Sequence, residues 1–295
     1  MRVGFQGELG AFSEEAVHEL VDHAEVVPCP SFQAVVRGVE EGALDAGVLP
    51  VENTLAGTVA GAYDALAAGA VEVIGEVAIP IRHFLLGVVG ASLHGLEEVR
   101  SHPVALSQCR AFLAAHPSIL EQAVYDTAGA AKAVARDGVP TVAAIASRGA
   151  GERYGLDILQ AELQDRDDNQ TRFFLVSRPG AEGGAIGACA AGRVSGDFPF
   201  KTAWLAEVPN RPGSLHGLLG VFVDRGLDVT HVASRPAESP WTYRFILEFA
   251  HIDPADAGRA CQEAASRGAL VRELGTFVAW QPVGDAALDD SQPGG

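Results

Sequence analysis

The chain of 295 residues is longer than one hydrophobic core usually supports, so we expect two or three compact units. Its formal net charge of -17 repels phosphate backbones and argues against a nucleic-acid partner, and no uncharged apolar run reaches the roughly 20 residues that cross a membrane. The four cysteines lie far apart and share no ligand spacing with histidines, which argues against a zinc site and a disulfide framework.

From the amino terminus to about residue 177, short apolar runs alternate with helical stretches. The first run follows Met1 without the basic and apolar regions of an export signal, so a cytoplasmic location is expected. The predicted strands are Val3–Phe5, Glu25–Cys29, Ala46–Leu49, Val71–Ile79, Phe84–Val89, Ala123–Tyr125, Val142–Ile145 and Phe173–Val176. This alternation predicts an α/β region with parallel sheets covered by helices on both faces. The pattern allows either one sheet or two lobes with a cleft between them.

The carboxyl-terminal third of the chain has a different order of elements. Segment 180–198 is rich in Gly and Ala, shows no helix or strand period, and is predicted to be a linker. Beyond it we predict strands at 202–208, 228–235, 242–249 and 269–278, and helices at 213–225 and 254–267. The order βαββαβ is the ferredoxin-like arrangement, a four-stranded sheet with two helices on one face. Residues 284–295 are predicted to form a disordered tail.

Four loops that follow predicted strands are candidate binding sites, because ligands of open α/β sheets sit beyond the carboxyl ends of the strands. They are Gly7–Ser13, Pro50–Gly57, Tyr125–Lys132 and Asn169–Phe173. The first precedes a helix whose free N–H groups favour an anion, although its glycine spacing departs from the dinucleotide-binding pattern. In the second, Asn53 and Thr54 could bind a carboxylate, and a turn with a helix cap explains them as well.

The other two loops have similar alternatives. In the third, Asp126 or Thr127 suits a helix cap, while Ala128 is small enough to let a ligand approach the backbone. In the fourth, the Thr171 hydroxyl beside the Arg172 guanidinium could hold an anion and deliver a proton, or Arg172 could only neutralise nearby aspartates.

One histidine is a further candidate, and several known catalytic motifs are absent from the sequence. For His102, which precedes a proline, a structural role at a turn or helix start is favoured over catalysis. There is no GxSxG, HExxH or Walker motif, so nucleophilic, zinc and phosphoryl-transfer chemistry lack support.

Taken together, these segments resemble the prephenate dehydratase family over essentially the whole chain. The resemblance rests on Tyr154-x-Leu156-x2-Leu159-x5-Asp165-x5-Thr171-Arg172-Phe173, with the further blocks Pro50–Asn53, Ser101–Pro103 and Gln108–Cys109. It implies a catalytic region at 1–179 that is similar to type II periplasmic binding proteins and has parallel-rich sheets. Lobe one would span about 1–79 and 147–179, and lobe two about 80–146, with the substrate in the cleft. Residues 199–283 would form an ACT regulatory domain.

The resemblance implies the conversion of prephenate to phenylpyruvate by loss of water and carbon dioxide, without metal or other cofactor. It places Thr171 at the departing hydroxyl, with Arg172 and Asn53 as further catalytic residues. The residues expected to bind substrate are Ala11, Phe12, Thr54, Leu55, Thr127, Ala128 and Phe173. A dianionic substrate needs local positive charge, and arginines are the expected source because the chain has few lysines.

The resemblance also implies that the ACT domain binds phenylalanine at a subunit interface, so a homodimer or homotetramer is expected. The residues expected to bind the effector are Asn210, Pro212, Gly213, Ser214, Leu215, Ala233, Ser234 and Arg235. Relatives carry a basic residue in place of His231 and glutamate in place of Ala233, which leaves inhibition by phenylalanine open.

Two other functions remain open alongside prephenate dehydration. The segment Asp126–Lys132 resembles that of plant arogenate dehydratases, which act on the aminated analogue of prephenate. A non-catalytic binding protein with the same two-lobed fold is the alternative from another class, because fold does not determine function.

Overall fold

The computed structural model describes residues 1–181, 199–237 and 239–280. Nearly all of the predicted linker and the whole predicted tail lie outside the described residues. Within those ranges, no helix is both long and apolar enough to span a bilayer.

The first lobe is built on a mixed sheet formed by the two ends of the catalytic region. Its strands are β1 (Arg2–Gln6), β2 (Glu25–Cys29), β3 (Ala46–Asn53), β4 (Gly57–Thr58), β5 (Glu72–Pro80) and β11 (Gln170–Ser177). They lie in the order β2-β1-β3-β11-β5, with β4 paired to β3. The strands β1, β2 and β3 are parallel, whereas β11 is antiparallel to both of its neighbours. The helices of this lobe are α1 (Phe12–Leu20), α2 (Phe32–Glu40) and α3 (Ala60–Ala68).

The second lobe has its own sheet in the order β10-β6-β9-β7-β8. Its strands are β6 (Phe84–Gly87), β7 (Glu98–Ser101), β8 (Leu120–Ala123), β9 (Val142–Ala146) and β10 (Asp157–Gln160). Its helices are α4 (Pro103–Gln108), α5 (Arg110–Ala115), α6 (Thr127–Asp137) and α7 (Arg148–Tyr154). Because β10 pairs antiparallel with β6, the chain returns to the first sheet only at Gln170, later than the expected return at 147.

The carboxyl-terminal domain has the predicted βαββαβ order. Its elements are β12 (Phe200–Glu207), α8 (Ser214–Arg225), β13 (Asp228–Pro236), β14 (Tyr243–His251), α9 (Ala255–Ser266) and β15 (Leu270–Val278), and each boundary lies within about two residues of its prediction. The four strands form one antiparallel sheet in the order β13-β14-β12-β15. Trp204 and Phe249 on one face of the sheet pack against Phe222 of α8 and Ala260 of α9.

The other face of this sheet packs against the first lobe. Ala203 and Leu205, which alternate with Trp204 along β12, share a hydrophobic core with Phe174 of β11. Strand β15 approaches β5 so closely that a Cβ atom on Gly275 would lie 2.1 Å from the carbonyl oxygen of Val73. The carboxyl-terminal domain is therefore fixed directly behind the strand that carries Thr171.

Candidate active site

A cleft of about 600 Å³ lies between the two lobes. The first lobe contributes the carboxyl ends of β1 and β3 and the beginnings of β11, α1 and α2. The second lobe contributes the region around β6, helix α4 and the beginning of α6. Phe12, Phe32, Tyr125 and Phe173 supply aromatic surface, so the cleft can enclose a flat six-membered ring.

Three helices of at least nine residues begin at this cleft, and one of them lacks a side-chain cap. Ser31 caps α2 by accepting from the N–H of Ala34 at 3.1 Å, and Asp126 caps α6 by accepting from the N–H of Gly129 at 2.6 Å. Ala11 occupies the cap position of α1 and has no side-chain acceptor. The first N–H groups of α1 are therefore suited to an anionic ligand.

Among the described residues that line the cleft there is no Lys, Arg, Asp or Glu. The expectation that arginines would supply the positive charge is therefore corrected. The partial positive charge at the beginnings of α1, α2 and α6 is the source that the structure provides.

The Thr171 hydroxyl lines the cleft and is held by Asn53. Asn53 Nδ2 donates to Thr171 Oγ1 at 2.9 Å and to the carbonyl oxygen of Gln170 at 3.0 Å. Asn53 Oδ1 accepts from the backbone N–H groups of Leu55 at 3.0 Å and Ala56 at 2.8 Å. Because a backbone N–H can only donate, these bonds fix which end of the amide faces Thr171. Thr171 therefore accepts from Asn53 and keeps its own hydroxyl proton for another acceptor.

The network continues through Asn169 and Gln108 to His83 in the second lobe. Asn53 Nδ2 also lies 2.9 Å from Asn169 Oδ1, so its two hydrogens are shared among three acceptors, and Asn169 Nδ2 donates to Gln108 Oε1 at 3.0 Å. His83 Nε2 lies 3.0 Å from the same Gln108 oxygen. In the sequence, Asn169 lies in the fourth candidate loop and Gln108 in a block of the family resemblance, but neither was given a role, and His83 was not singled out. For His83, its place directly after the crossing between lobes near Pro80 is the signal that could have found it.

Arg172 points away from the cleft. Side chains alternate along a strand, so Arg172 lies on the opposite face of β11 from Thr171. Its guanidinium lies 2.7 Å from Glu248 Oε2, 3.0 Å from Glu76 Oε2 and 3.0 Å from Glu52 Oε2. Arg172 was expected to be a catalytic residue in contact with the substrate. The structure places its guanidinium against these carboxylates instead, outside the cleft.

The charged residues between the first lobe and the carboxyl-terminal domain, here called the interdomain charge cluster, are Arg172, Glu52, Glu76, Glu248 and Lys201, of which Glu76 and Glu248 are fully buried. Burial opposes the charge of Arg172, but Glu248 and Glu76 outweigh this effect and raise its pKa. The Tyr63 hydroxyl donates to Glu248, and the ring of His231 stacks on Tyr63 with 5.4 Å between centroids.

The remaining expected substrate-binding residues divide into two groups. Phe12, Thr127 and Phe173 line the cleft. Thr54, Leu55, Ala128 and Ala11 are not among its lining residues. The Thr54 hydroxyl is used within the fold, since it accepts from the N–H of Gln170 at 3.0 Å and donates to the carbonyl oxygen of Asp168 at 3.2 Å.

His102 lines the cleft and also begins a helix. Its Nδ1 accepts from the N–H of Val104 at 3.2 Å, which makes His102 the side-chain cap of α4. The cap agrees with the structural role predicted for this histidine.

The residues expected to bind the effector lie at one end of the carboxyl-terminal sheet. Glu207 of β12 and Arg235 of β13 both pair with Arg244 of β14, so the loop that holds residues 210–215 leaves the sheet near Arg235. The Arg235 guanidinium lies 2.5 Å from Asp64 Oδ2 on α3.

The other two strand residues differ in their surroundings. Ala233 packs against the core of the first lobe, whereas Ser234 is exposed. Arg235 and Ala233 are thus in contact with the first lobe.

Comparisons with known proteins agree on one family. The family model for prephenate dehydratase matches residues 3–181, and the model for the ACT domain matches residues 205–266. Arogenate dehydratase 2 of Petunia hybrida is 34% identical over 293 residues, which cover 94% of this chain and 70% of that protein. The prephenate dehydratase of Arthrobacter aurescens, solved in complex with L-Phe, has a TM-score of 0.82 at 27% identity and covers 95% of this chain and 90% of its own. GqqA, described as a novel type of quorum quenching acylase, also has a TM-score of 0.82, at 29% identity over 95% of this chain and 98% of its own.

Proposed function

The chain belongs to the prephenate dehydratase family, and we propose that this dehydratase acts on prephenate and converts it to phenylpyruvate. The observation that supports this best is the Thr171 hydroxyl, which accepts from Asn53 and keeps its proton for a ligand in the cleft. An amide such as that of Asn53 cannot serve as a base, so the hydroxyl is not arranged for the nucleophilic attack that an acylase requires.

The proposed reaction removes two groups from a dianionic ring. The first N–H groups of α1, which no side chain caps, hold one carboxylate, and Thr127 at the beginning of α6 is available to the other. The Thr171 hydroxyl donates a hydrogen bond to the departing oxygen, whose negative charge grows in the transition state. The departing hydroxyl takes one proton, drawn from the solvent, and leaves as water, while the ring carboxylate leaves as carbon dioxide and the electron pair of its broken C–C bond completes the aromatic ring. The aromatic walls around Phe173 disfavour the localised charge of the ring carboxylate more than the transition state, in which that charge disperses into the ring, and this difference is the differential binding that catalysis requires.

The absence of acidic side chains among the described residues of the cleft lining favours prephenate over arogenate as the substrate. Arogenate carries an ammonium group where prephenate carries a keto oxygen, and an ammonium needs a carboxylate partner when it leaves water. Among the cleft-lining residues that the structure describes, no Asp or Glu is available for that role. The acids next to the cleft wall are already engaged, since Glu8 is bonded to Lys132 at 2.8 Å and to the Tyr125 hydroxyl at 2.9 Å, and Asp126 accepts from the N–H of Gly129 at 2.6 Å.

We expect the purified protein to have a higher kcat/KM for prephenate than for arogenate in chelator-treated buffer. Product formation from each substrate is followed by chromatography, with a Thr171→Ala variant measured in parallel to subtract uncatalysed aromatisation. A preference for arogenate would move the assignment to that activity. Saturable binding of both compounds without turnover would favour the binding-protein alternative.

We further propose that the ACT domain makes the enzyme, as a homodimer or homotetramer, responsive to phenylalanine. Calorimetry is expected to show heat for phenylalanine and less for tyrosine and tryptophan, together with a change in kcat/KM. The matched variant is Asn210→Ala, because Asn210 is exposed and its side chain bonds only the Trp241 carbonyl, at 3.4 Å, among the described contacts. Absence of heat from all three amino acids at millimolar concentration would show that the domain serves assembly alone.

A further inference from the structure

His83 is a buried histidine for which the proposed mechanism has so far no role. It lies just before β6, where the chain passes from the first lobe to the second, and only 2% of the residue is exposed. It nevertheless lines the cleft, with the ring of Phe12 edge-on to the imidazole at 5.8 Å between centroids. Its backbone N–H donates to Gln164 Oε1 at 3.0 Å, which holds the main chain of this residue in place.

A chain of hydrogen bonds links Thr171 to His83 through three amide side chains. Backbone N–H groups at the Thr171 end of this chain determine which atom donates in each bond. The N–H groups of Leu55 and Ala56 require Asn53 to present its oxygen to them, so its Nδ2 faces Thr171 and Asn169. Asn169 must then present Oδ1 to Asn53, and its own Nδ2 faces Gln108.

The same reasoning continues to the histidine ring. Gln108 must present Oε1 to Asn169, and this oxygen is also the atom that meets His83 Nε2 at 3.0 Å. An amide oxygen only accepts, so Nε2 must carry a proton. Burial lowers the pKa of His83, which favours the neutral ring with this single N–H. Within the described residues, Nδ1 then has no hydrogen-bond partner.

We propose that His83 is a positioning residue for Thr171, acting through the Gln108–Asn169–Asn53 chain. The backbone fixes the orientation of Asn53 at one end of the chain, and the N–H of His83 at the other end holds the Gln108 amide in the orientation that matches it. The opposite tautomer would turn Gln108 round and set its NH₂ group against that of Asn169. The resulting displacement of Asn169 would move Asn53, whose donation to Thr171 leaves the hydroxyl proton free for the departing oxygen. This role rests on the proposed function of Thr171.

The test compares three substitutions at one position. His83→Gln keeps an N–H donor close to the place of Nε2, whereas His83→Leu removes it and His83→Asn moves it toward Nδ1. We expect kcat for prephenate to fall on the order of 10²-fold in the Leu and Asn variants, with KM changed much less, and to recover at least in part in the Gln variant. His116→Leu is the matched control, since the Nδ1 of that histidine bonds the Phe112 carbonyl at 2.9 Å and lies outside the cleft lining.

The action through Thr171 is checked with a double-variant cycle. If His83 works only by positioning that hydroxyl, His83→Leu should change kcat little in a Thr171→Ala background. A fall equal to that in the wild type would overturn the positioning role while leaving the dehydratase activity established. If neither substrate is converted by the wild type, the proposed function itself fails.

A readout that does not depend on activity is the ring tautomer. Nitrogen chemical shifts of labelled histidine, assigned by comparison with His83→Gln, are expected to show a neutral ring protonated on Nε2. A ring protonated only on Nδ1 would overturn the proposal, because such a ring cannot donate to Gln108.

Discussion

Thr171→Ala is expected to lower kcat for prephenate by about 10²- to 10³-fold, which is the usual cost of removing one donor from a developing oxyanion. KM should change little, because the carboxylates of the substrate are held elsewhere, at the beginnings of helices. The midpoint of urea unfolding should stay close to that of the wild type, since Thr171 is only half-buried and bonds a single side chain.

Two substitutions at this position separate the contribution of the hydroxyl to kcat from that of the shape of the side chain. Thr171→Ser keeps the oxygen that accepts from Asn53, and Thr171→Val keeps the shape without it. We expect the Ser variant to retain most of the activity and the Val variant to match Thr171→Ala. Wild-type kcat in the Val variant would show that another group stabilises the departing oxygen.

Much of the fold could be predicted because hydrophobic patterning reports burial. The βαββαβ domain was predicted within about two residues at each boundary, since its strands and helices have clear periods. Strands β4, β7 and β10 were not predicted, and the strand predicted at 123–125 lies at Leu120–Ala123 as β8. The sequence of β7, Glu98–Ser101, has a single apolar residue, and β10, Asp157–Gln160, is only four residues long, although Gly155 ends the helix before it.

Candidate residues were identified from the sequence loop by loop, without the contacts between one loop and another. Thr171 and Asn53 were identified in separate loops, and the structure joins them at 2.9 Å. The direction of Arg172 could not be predicted because strand β11 was expected to begin at Phe173, so the alternation that turns Arg172 away from the cleft was not applied. His83 escaped notice because its partners are distant in the sequence, with Gln108 25 residues away.

Arg172→Met is expected to destabilise the protein by about 3 to 5 kcal/mol, because removing one partner of a buried ion pair leaves the opposite charge without compensation. The carboxylates of Glu248 and Glu76 are the ones affected, since their side chains are 0% and 1% exposed. Lys201 still lies 3.1 Å from Glu76, which places the expected loss toward the lower end of that range. Urea unfolding followed by tryptophan fluorescence measures the change.

The control is the double variant Arg172→Met/Glu248→Gln. Neutralising Glu248 removes the carboxylate that lost its partner, so the double variant should be more stable than the sum of the single changes predicts. Additive losses would show that Arg172 stabilises the fold by packing against Phe174, whose ring centroid lies 5.1 Å from the guanidinium carbon.

Kinetics of the Arg172→Met variant distinguish an interdomain role from a substrate contact. If Arg172 bound a carboxylate of prephenate, KM would rise about tenfold or more, as expected for loss of a charged hydrogen bond, and the unfolding midpoint would hardly move. Because Arg172 lies on the face of β11 that is turned away from the cleft, we expect the opposite result. The variant should lose much of its stability, and its KM should change less than about tenfold. Any fall in kcat would then come through Thr171, because the two residues are adjacent on one strand and Arg172 ties that strand to Glu248 of the ACT domain.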